Sequence, residues 1–276
     1  MNRLRAWFLA PSWAVMLSLF LFPMLIILAY SLLTRGTYGG ISMQWSVESY
    51  QRFADPIYLG ILWRSFWIAG ASTLISLLLG FPLALFISRA GKRKNLYLSL
   101  VILPFWTSFL VRTYAWMFLL RDTGLVNSTL QKLRIIHDPL PLLYNDGAVI
   151  LGLVYGYLPF MVLPLFGTLE RLDRNLLEAA ADLGARPWAT LLRVVLPLSA
   201  PGIRAGVILV FIPCLGAYLT PDLLGGGKSA MIGNLIQNQF TTARDWPFGS
   251  AISLALMAVV MLLLLAFVRR DEEGLL

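Results

Sequence analysis

Six stretches of the chain are almost continuously apolar, and the polar residues gather in the intervals between them. The stretches run approximately over 7–33, 62–88, 96–120, 147–168, 201–220 and 248–269. A membrane-crossing helix needs about 20 mainly apolar residues, so each is long enough to span a bilayer. The pattern predicts an all-α integral membrane protein, a single transmembrane domain over 1–276 with six helices. The opening "MNRLRAWFLAPSWAVMLSLFLF" has the basic start of a secretory signal. Its apolar run is long and no small-residue cleavage site closes it, so it is read as a retained first helix.

Composition and charge agree with that reading and add an orientation. Hydrophobic residues make up 58% of the chain and charged residues only 13%, against roughly 25% charged in a soluble domain. Lys and Arg favour the cytoplasmic side. With the N-terminus inside, thirteen of them fall in the inner segments and eight in the outer ones, Arg112 lying within a helix. Both termini are therefore expected in the cytoplasm. The net charge of +8 is spread over inner loops rather than gathered in one patch, so topology and anionic lipid account for it and no nucleic acid is implied.

Little in the chain suggests chemistry. His137 is the only histidine and stands in an outer loop, without a second histidine or a cysteine to complete a metal site. Cys214, also alone, is read as a small packing residue in the fifth apolar stretch. The run "DLLGGGKSA" over 222–230 imitates the end of a phosphate-binding loop, but that loop needs a glycine where this chain has Asp222. It is read as a flexible glycine turn. Any nucleotide energy the protein uses must be bound by another subunit.

One interval stands out. The loop 170–200 contains "EAAADLGARPWATLLRVVLP", residues 178–197. Strong helix formers, with Asn175 as a cap and Gly184 as the left-handed residue at the end, predict a short helix over 175–183. Pro187 opens a second helix on which Trp188, Leu191, Leu192 and Val195 recur at helical spacing. Three consecutive alanines suit a helix that seats deeply against a partner. Glu178 is open to two readings: a charge presented to that partner, or the third position of a capping box begun by Asn175.

The spacing Glu178-Ala179-Ala180, Gly184, Val194, Leu196-Pro197 resembles the EAA loop of permeases of ATP-binding cassette (ABC) importers; Val194 stands where Ile is usual. The likeness extends to "LPFWTSFLVRTYAW" at 103–116, "DLLGGGKSAMIGNLIQNQF" at 222–240 and "RDWPFGSA" at 244–251. Over nearly its whole length the chain is similar to spermidine/putrescine permease subunits of the PotB type. The resemblance implies the type I ABC importer permease fold in a bacterial inner membrane, with no catalytic site and no cofactor in this chain. It also implies a homologous second permease, two cytoplasmic ATPase subunits that bind ATP and Mg, and a periplasmic polyamine-binding protein. ATP-driven movement of the docked inner loop would then open the helices outward. Related permeases for an opine, a phosphonate or ferric ion look alike. An ion-driven secondary transporter is a more distant alternative, but such proteins carry ionisable residues at the midplane, where this chain has only Arg112.

A polyamine path calls for aromatic faces and a few carboxylates. Trp106, Tyr114, Trp116, Tyr155, Tyr157 and Tyr218 supply rings, and Asp222 supplies an acid at the outer end of the fifth stretch. Each ring also suits a membrane interface. Arg112 would repel a polyamine and is read as structural, paired with a carboxylate or with carbonyls. Pro159, Pro164 and Pro213 free carbonyls within their helices. The pairs Gly152/Gly156 and Gly202/Gly206 suit close helix crossings.

Overall fold

The computed structural model describes residues 2–227 and 229–273, and they are mostly helical. In chain order the elements are α1 (Asn2–Ser31), a hairpin of β1 (Leu33–Arg35) and β2 (Ile41–Trp45), α2 (Glu48–Phe53) and α3 (Pro56–Ser88). Next come α4 (Lys94–Ile102), α5 (Phe109–Leu120), α6 (Leu125–Lys132) and α7 (Asp146–Glu170). The short helices α8 (Arg174–Asp182), α9 (Pro187–Thr190) and α10 (Leu196–Leu198) precede α11 (Ala200–Leu215), α12 (Leu219–Gly225), α13 (Ile232–Thr241) and α14 (Trp246–Glu273).

Among the described residues, four helices are long and apolar enough to cross a membrane alone, and six spans result when each of two bent pairs counts as one. The expected helix 96–120 is one such pair, its halves bent by 88°. Pro104 has no amide to continue the ladder. The Thr107 amide and hydroxyl both turn back to the Pro104 carbonyl, at 3.3 and 2.7 Å, and Thr107 and Ser108 are extended. The expected helix 201–220 stops at Leu215, and α12 restarts after Gly216 and Ala217.

The chain divides into two compact units, one running up to Gly60 and resuming at Leu235, the other Ile61–Asn234. In the first, α1 packs on α14 yet leaves Trp13, Met16, Leu19, Phe20 and Phe22 exposed, an apolar surface suited to lipid. The hairpin is tied to the turn before α14: Arg35 Nη2 donates to the Ala243 carbonyl at 2.7 Å and Gly40 N to that of Arg244 at 2.6 Å. Asp245, 3% exposed, caps α14 by accepting from Phe248 N at 3.2 Å and receives Arg52 Nη1 at 2.8 Å. The Arg52 guanidinium lies 4.0 Å over the Phe248 ring. Burial by itself lowers the Arg52 pKa, but hydrogen bonds to Tyr58 and Asp245 outweigh it, raise the value and keep the group charged.

In the second unit α7 is the most buried spanning helix. Helix α11 crosses it at Gly202 and Gly206: a Cβ at Gly202 would lie 2.5 Å from Thr168 Oγ1, and one at Gly206 2.6 Å from Met161 Sδ. Gly152 and Gly156 serve different neighbours, Leu224 of α12 and Phe109 of α5. Polar contacts pin one end of the unit. Arg64 Nη2 reaches both Asp146 oxygens at 3.0 and 3.1 Å, and the Ser229 hydroxyl bonds the same carboxylate. Ile232 N donates to Ser65 Oγ at 2.7 Å and Asn234 Nδ2 to the Tyr218 carbonyl at 2.7 Å. Lys94 pairs with Glu170.

Candidate functional site

The segment 173–199 is built from local signals. Its first helix is capped by Asp173, whose carboxylate accepts from Asn175 N at 3.0 Å, and not by Asn175 as expected. Asp173 wins because its own backbone is extended, at φ −66° and ψ 122°, which leaves its side chain free to fold back onto the second helical amide. Glu178 thus becomes the fifth helical residue. A capping box needs the acid at the third, so that reading of Glu178 falls.

The helix closes in a Schellman motif. Ala185 N donates to the Ala180 carbonyl at 3.0 Å and Gly184 N to that of Ala181 at 2.8 Å, with Gly184 at φ 75°. Arg186 is extended and Pro187 opens the next helix. That helix passes through a π-type turn over 191–195 and ends where Ser199 Oγ donates to the Val195 carbonyl at 2.6 Å. The piece 187–198 is bent by 66° from α11.

The arrangement leaves apolar surface uncovered. Leu183 is 89%, Trp188 73% and Leu192 57% exposed, and Glu178, Ala179, Leu196 and Pro197 are exposed too. Ala180 and Val194 are half-buried. On the opposite side the half-buried Leu177 lines, with Leu85 of α3 and with Arg89 just beyond its end, two cavities of about 340 and 390 Å³. The first of these is lined by Glu178, Glu170 and Arg89. Helix α8 thus faces α3 across these cavities, and of its described side chains only Leu177 and Ala180 are half-buried, the rest exposed.

The residues expected along a substrate path fall into groups. Trp116 and Tyr155 meet edge to face at 5.5 Å. Tyr157 contacts Phe109 at 6.5 Å and Phe160 at 6.1 Å. Tyr218 and Asp222 bracket the first turn of α12, both exposed, with Asp222 N donating to the Tyr218 carbonyl at 3.0 Å. Among the described residues Trp106 and Tyr114 join no ring pair, and both are exposed. Lys228 lies outside the described residues; around it Gly226 and Gly227 turn at φ 54° and 72° after a helix, not a strand.

Arg112 departs from expectation. It has neither a carboxylate nor a carbonyl as side-chain partner among the described residues: its guanidinium lies 4.6 Å over Phe105 and 5.7 Å over Phe109, with Nε and Nη1 buried and unbonded. Phe105, Phe109 and Phe160 were absent from the expected path. The signal for Phe109 was in the sequence, since Arg112 follows it by three residues on one helix, whereas Phe105 is brought over Arg112 by the break between α4 and α5. Phe160, and the pair of Arg52 with Asp245 across 193 residues, had no local signal.

Comparison with known proteins places these features. Residues 76–270 match the family described as binding-protein-dependent transport system inner membrane component. The spermidine/putrescine transport system permease protein PotB of Haemophilus influenzae is 41% identical over 262 residues, 95% of this chain and 91% of that protein. Its namesake from Escherichia coli is 44% identical over 258 residues, 93% and 94% of the two chains. Among solved structures, a chain of a bacterial ABC transporter that imports the acidic polysaccharide alginate aligns with a TM-score of 0.80 at 16% identity, covering 99% of this chain and 97% of that one. A chain of the inward-facing methionine ABC transporter aligns with a TM-score of 0.58 at 18% identity, over 80% and 98%. With 195 consecutive residues matched and relatives above 40% identity along nearly the whole length, the chain belongs to the family of binding-protein-dependent transport system inner membrane components.

Proposed function

We propose that this chain is the translocation subunit of an ATP-driven importer for polyamines of the spermidine and putrescine type. The observation that carries the cargo is the 41–44% identity, over more than nine-tenths of both chains, with relatives named as spermidine/putrescine permeases. In this reading the chain crosses a bacterial inner membrane six times with both termini in the cytoplasm. It pairs with a homologous second permease, two ATPase subunits and a periplasmic polyamine-binding protein.

Work enters through 173–199. Glu178, Ala179 and the exposed Leu183, Trp188 and Leu192 seat in the ATPase, whose closure moves α8 relative to α3. A nucleotide shifts the access equilibrium only through its different affinities for the two states, and in this reading the docked segment transmits that difference. Tyr218 and Asp222 receive the cation at the outer mouth, and Trp106, Tyr114, the Trp116–Tyr155 pair and Tyr157 line its route.

Reconstitution tests this. The chain, with its companion permease, ATPase and binding protein in proteoliposomes, takes up labelled spermidine only when ATP is supplied on the ATPase side. Uptake of an opine, phosphonate or ferric ion in place of polyamines overturns the cargo. Single cysteines in 92–95 and 185–190 resist an impermeant thiol reagent added outside, while those in 36–46 and 226–229 react. The reverse pattern overturns the orientation.

A further inference from the structure

Around the break between α4 and α5 the side chains form a closed ring. Phe105 meets Phe160 edge to face at 5.4 Å, Phe160 meets Tyr157 at 6.1 Å, and Tyr157 meets Phe109 at 6.5 Å. Arg112 completes the circuit by lying over Phe105 and Phe109. Aromatic faces converging on a cation are the chemistry that recognises an alkylammonium group. Here the cation held by the rings belongs to the chain itself.

Two facts separate Arg112 from an ordinary structural arginine. Its Nε and Nη1 are buried without a hydrogen-bond partner, whereas a guanidinium serving as a clamp normally spends those donors on a carboxylate or carbonyls. It also stands one helical turn beyond Thr107 and Ser108, where the helix is interrupted and Trp106 is 84% exposed. The last carbonyls of the helix before the break lack intrahelical donors and favour positive charge, whereas Arg112 stands in the opening turn of α5, where the helix dipole disfavours its charge. The rings and the break together form a place for a cation that the chain fills with its own, loosely tied side chain.

We infer that Arg112 is a resident stand-in for the substrate: its guanidinium lies on Phe105 and Phe109, at the edge of the cluster that Tyr157 and Phe160 complete, when no polyamine is present, and an ammonium group of the polyamine displaces it. The exchange trades one cation for another, so the net charge within the ring does not change. It also makes substrate entry depend on movement of a side chain in the opening turn of α5. The inference rests on the polyamine reading of the cargo.

The test is equilibrium binding of labelled spermidine to the complete permease–ATPase complex in nanodiscs, without the binding protein. Arg112→Gln and Arg112→Met remove the competitor, the methionine filling the space between rings. Either neutral variant binds spermidine more tightly, Kd falling on the order of tenfold for a lost ring-bound cation, while Arg112→Lys stays near wild type. Added methylguanidinium competes with spermidine in the neutral variants more strongly than in wild type. An unchanged or raised Kd in a recovered neutral variant overturns the inference. So does loss of both neutral variants from the membrane with rescue by Arg112→Lys, which assigns Arg112 to holding the break. Failure of the wild-type assembly to take up spermidine is a separate outcome, which overturns the cargo reading and this inference with it.

Discussion

Gly184 offers a perturbation whose size follows from the backbone alone. It sits at φ 75°, and no atom lies within 4 Å of the position a Cβ would take. A side chain there meets no neighbour, so any cost comes from the left-handed conformation. For an L-residue that cost is roughly 1–2 kcal/mol, at the upper end for a β-branched one. If the backbone escapes instead, the Schellman bonds at 3.0 and 2.8 Å are lost, each contributing about 0.5–1.5 kcal/mol. Gly184→Val therefore costs about 1–3 kcal/mol, whichever route the backbone takes. Helix α8 has nine residues, and helices shorter than about 12–15 residues are marginal by themselves. A loss of that size frays its end and changes its angle to α9. ATP-coupled spermidine uptake falls steeply and less ATPase is recovered on purification, with the protein still inserted. The series matters more than the single variant: Gly184→Asn, tolerant of left-handed backbone, stays near wild type, Gly184→Ala is intermediate and Gly184→Val is worst. Equal loss in Asn and Val, or normal uptake in Val, refutes the backbone argument.

Glu178→Lys abolishes coupled uptake and weakens co-purification of the ATPase, measured by pull-down from membranes; a variant that transports and co-purifies normally removes Glu178 from the docking surface. Asp222→Asn lowers uptake while leaving assembly and basal ATP hydrolysis intact, and unchanged uptake kinetics take Asp222 out of the outer site. Asp245→Ala removes the cap of α14 and the partner of Arg52, whose side chain is 43% exposed and therefore partly screened. A loss of about 2 kcal/mol follows, read as a lower melting temperature of the purified complex, and Asp245→Asn recovers most of the cap's share. Melting of Asp245→Ala at the wild-type temperature counts against that assignment.

Sequence by itself determined the features whose causes are local. Continuous apolar runs dictate membrane helices because lipid offers no partner for free backbone groups. Gly184 and Pro187 dictate the turn between α8 and α9 because their backbone preferences hold in any surroundings. The cap of α8 fell two residues before the expected Asn175, on Asp173, whose extended backbone at the helix start is a product of the folded chain. Tertiary structure alone decided where distant residues meet. The glycines at 152, 156, 202 and 206 all read as close-packing sites, but their neighbours are set by how α5, α7, α11 and α12 assemble. Arg112 shows the same limit most plainly. A cation in an apolar stretch must find compensation, yet it was the break between α4 and α5 that laid Phe105 over the guanidinium beside Phe109, and packing that brought Phe160 against Phe105 from 55 residues away.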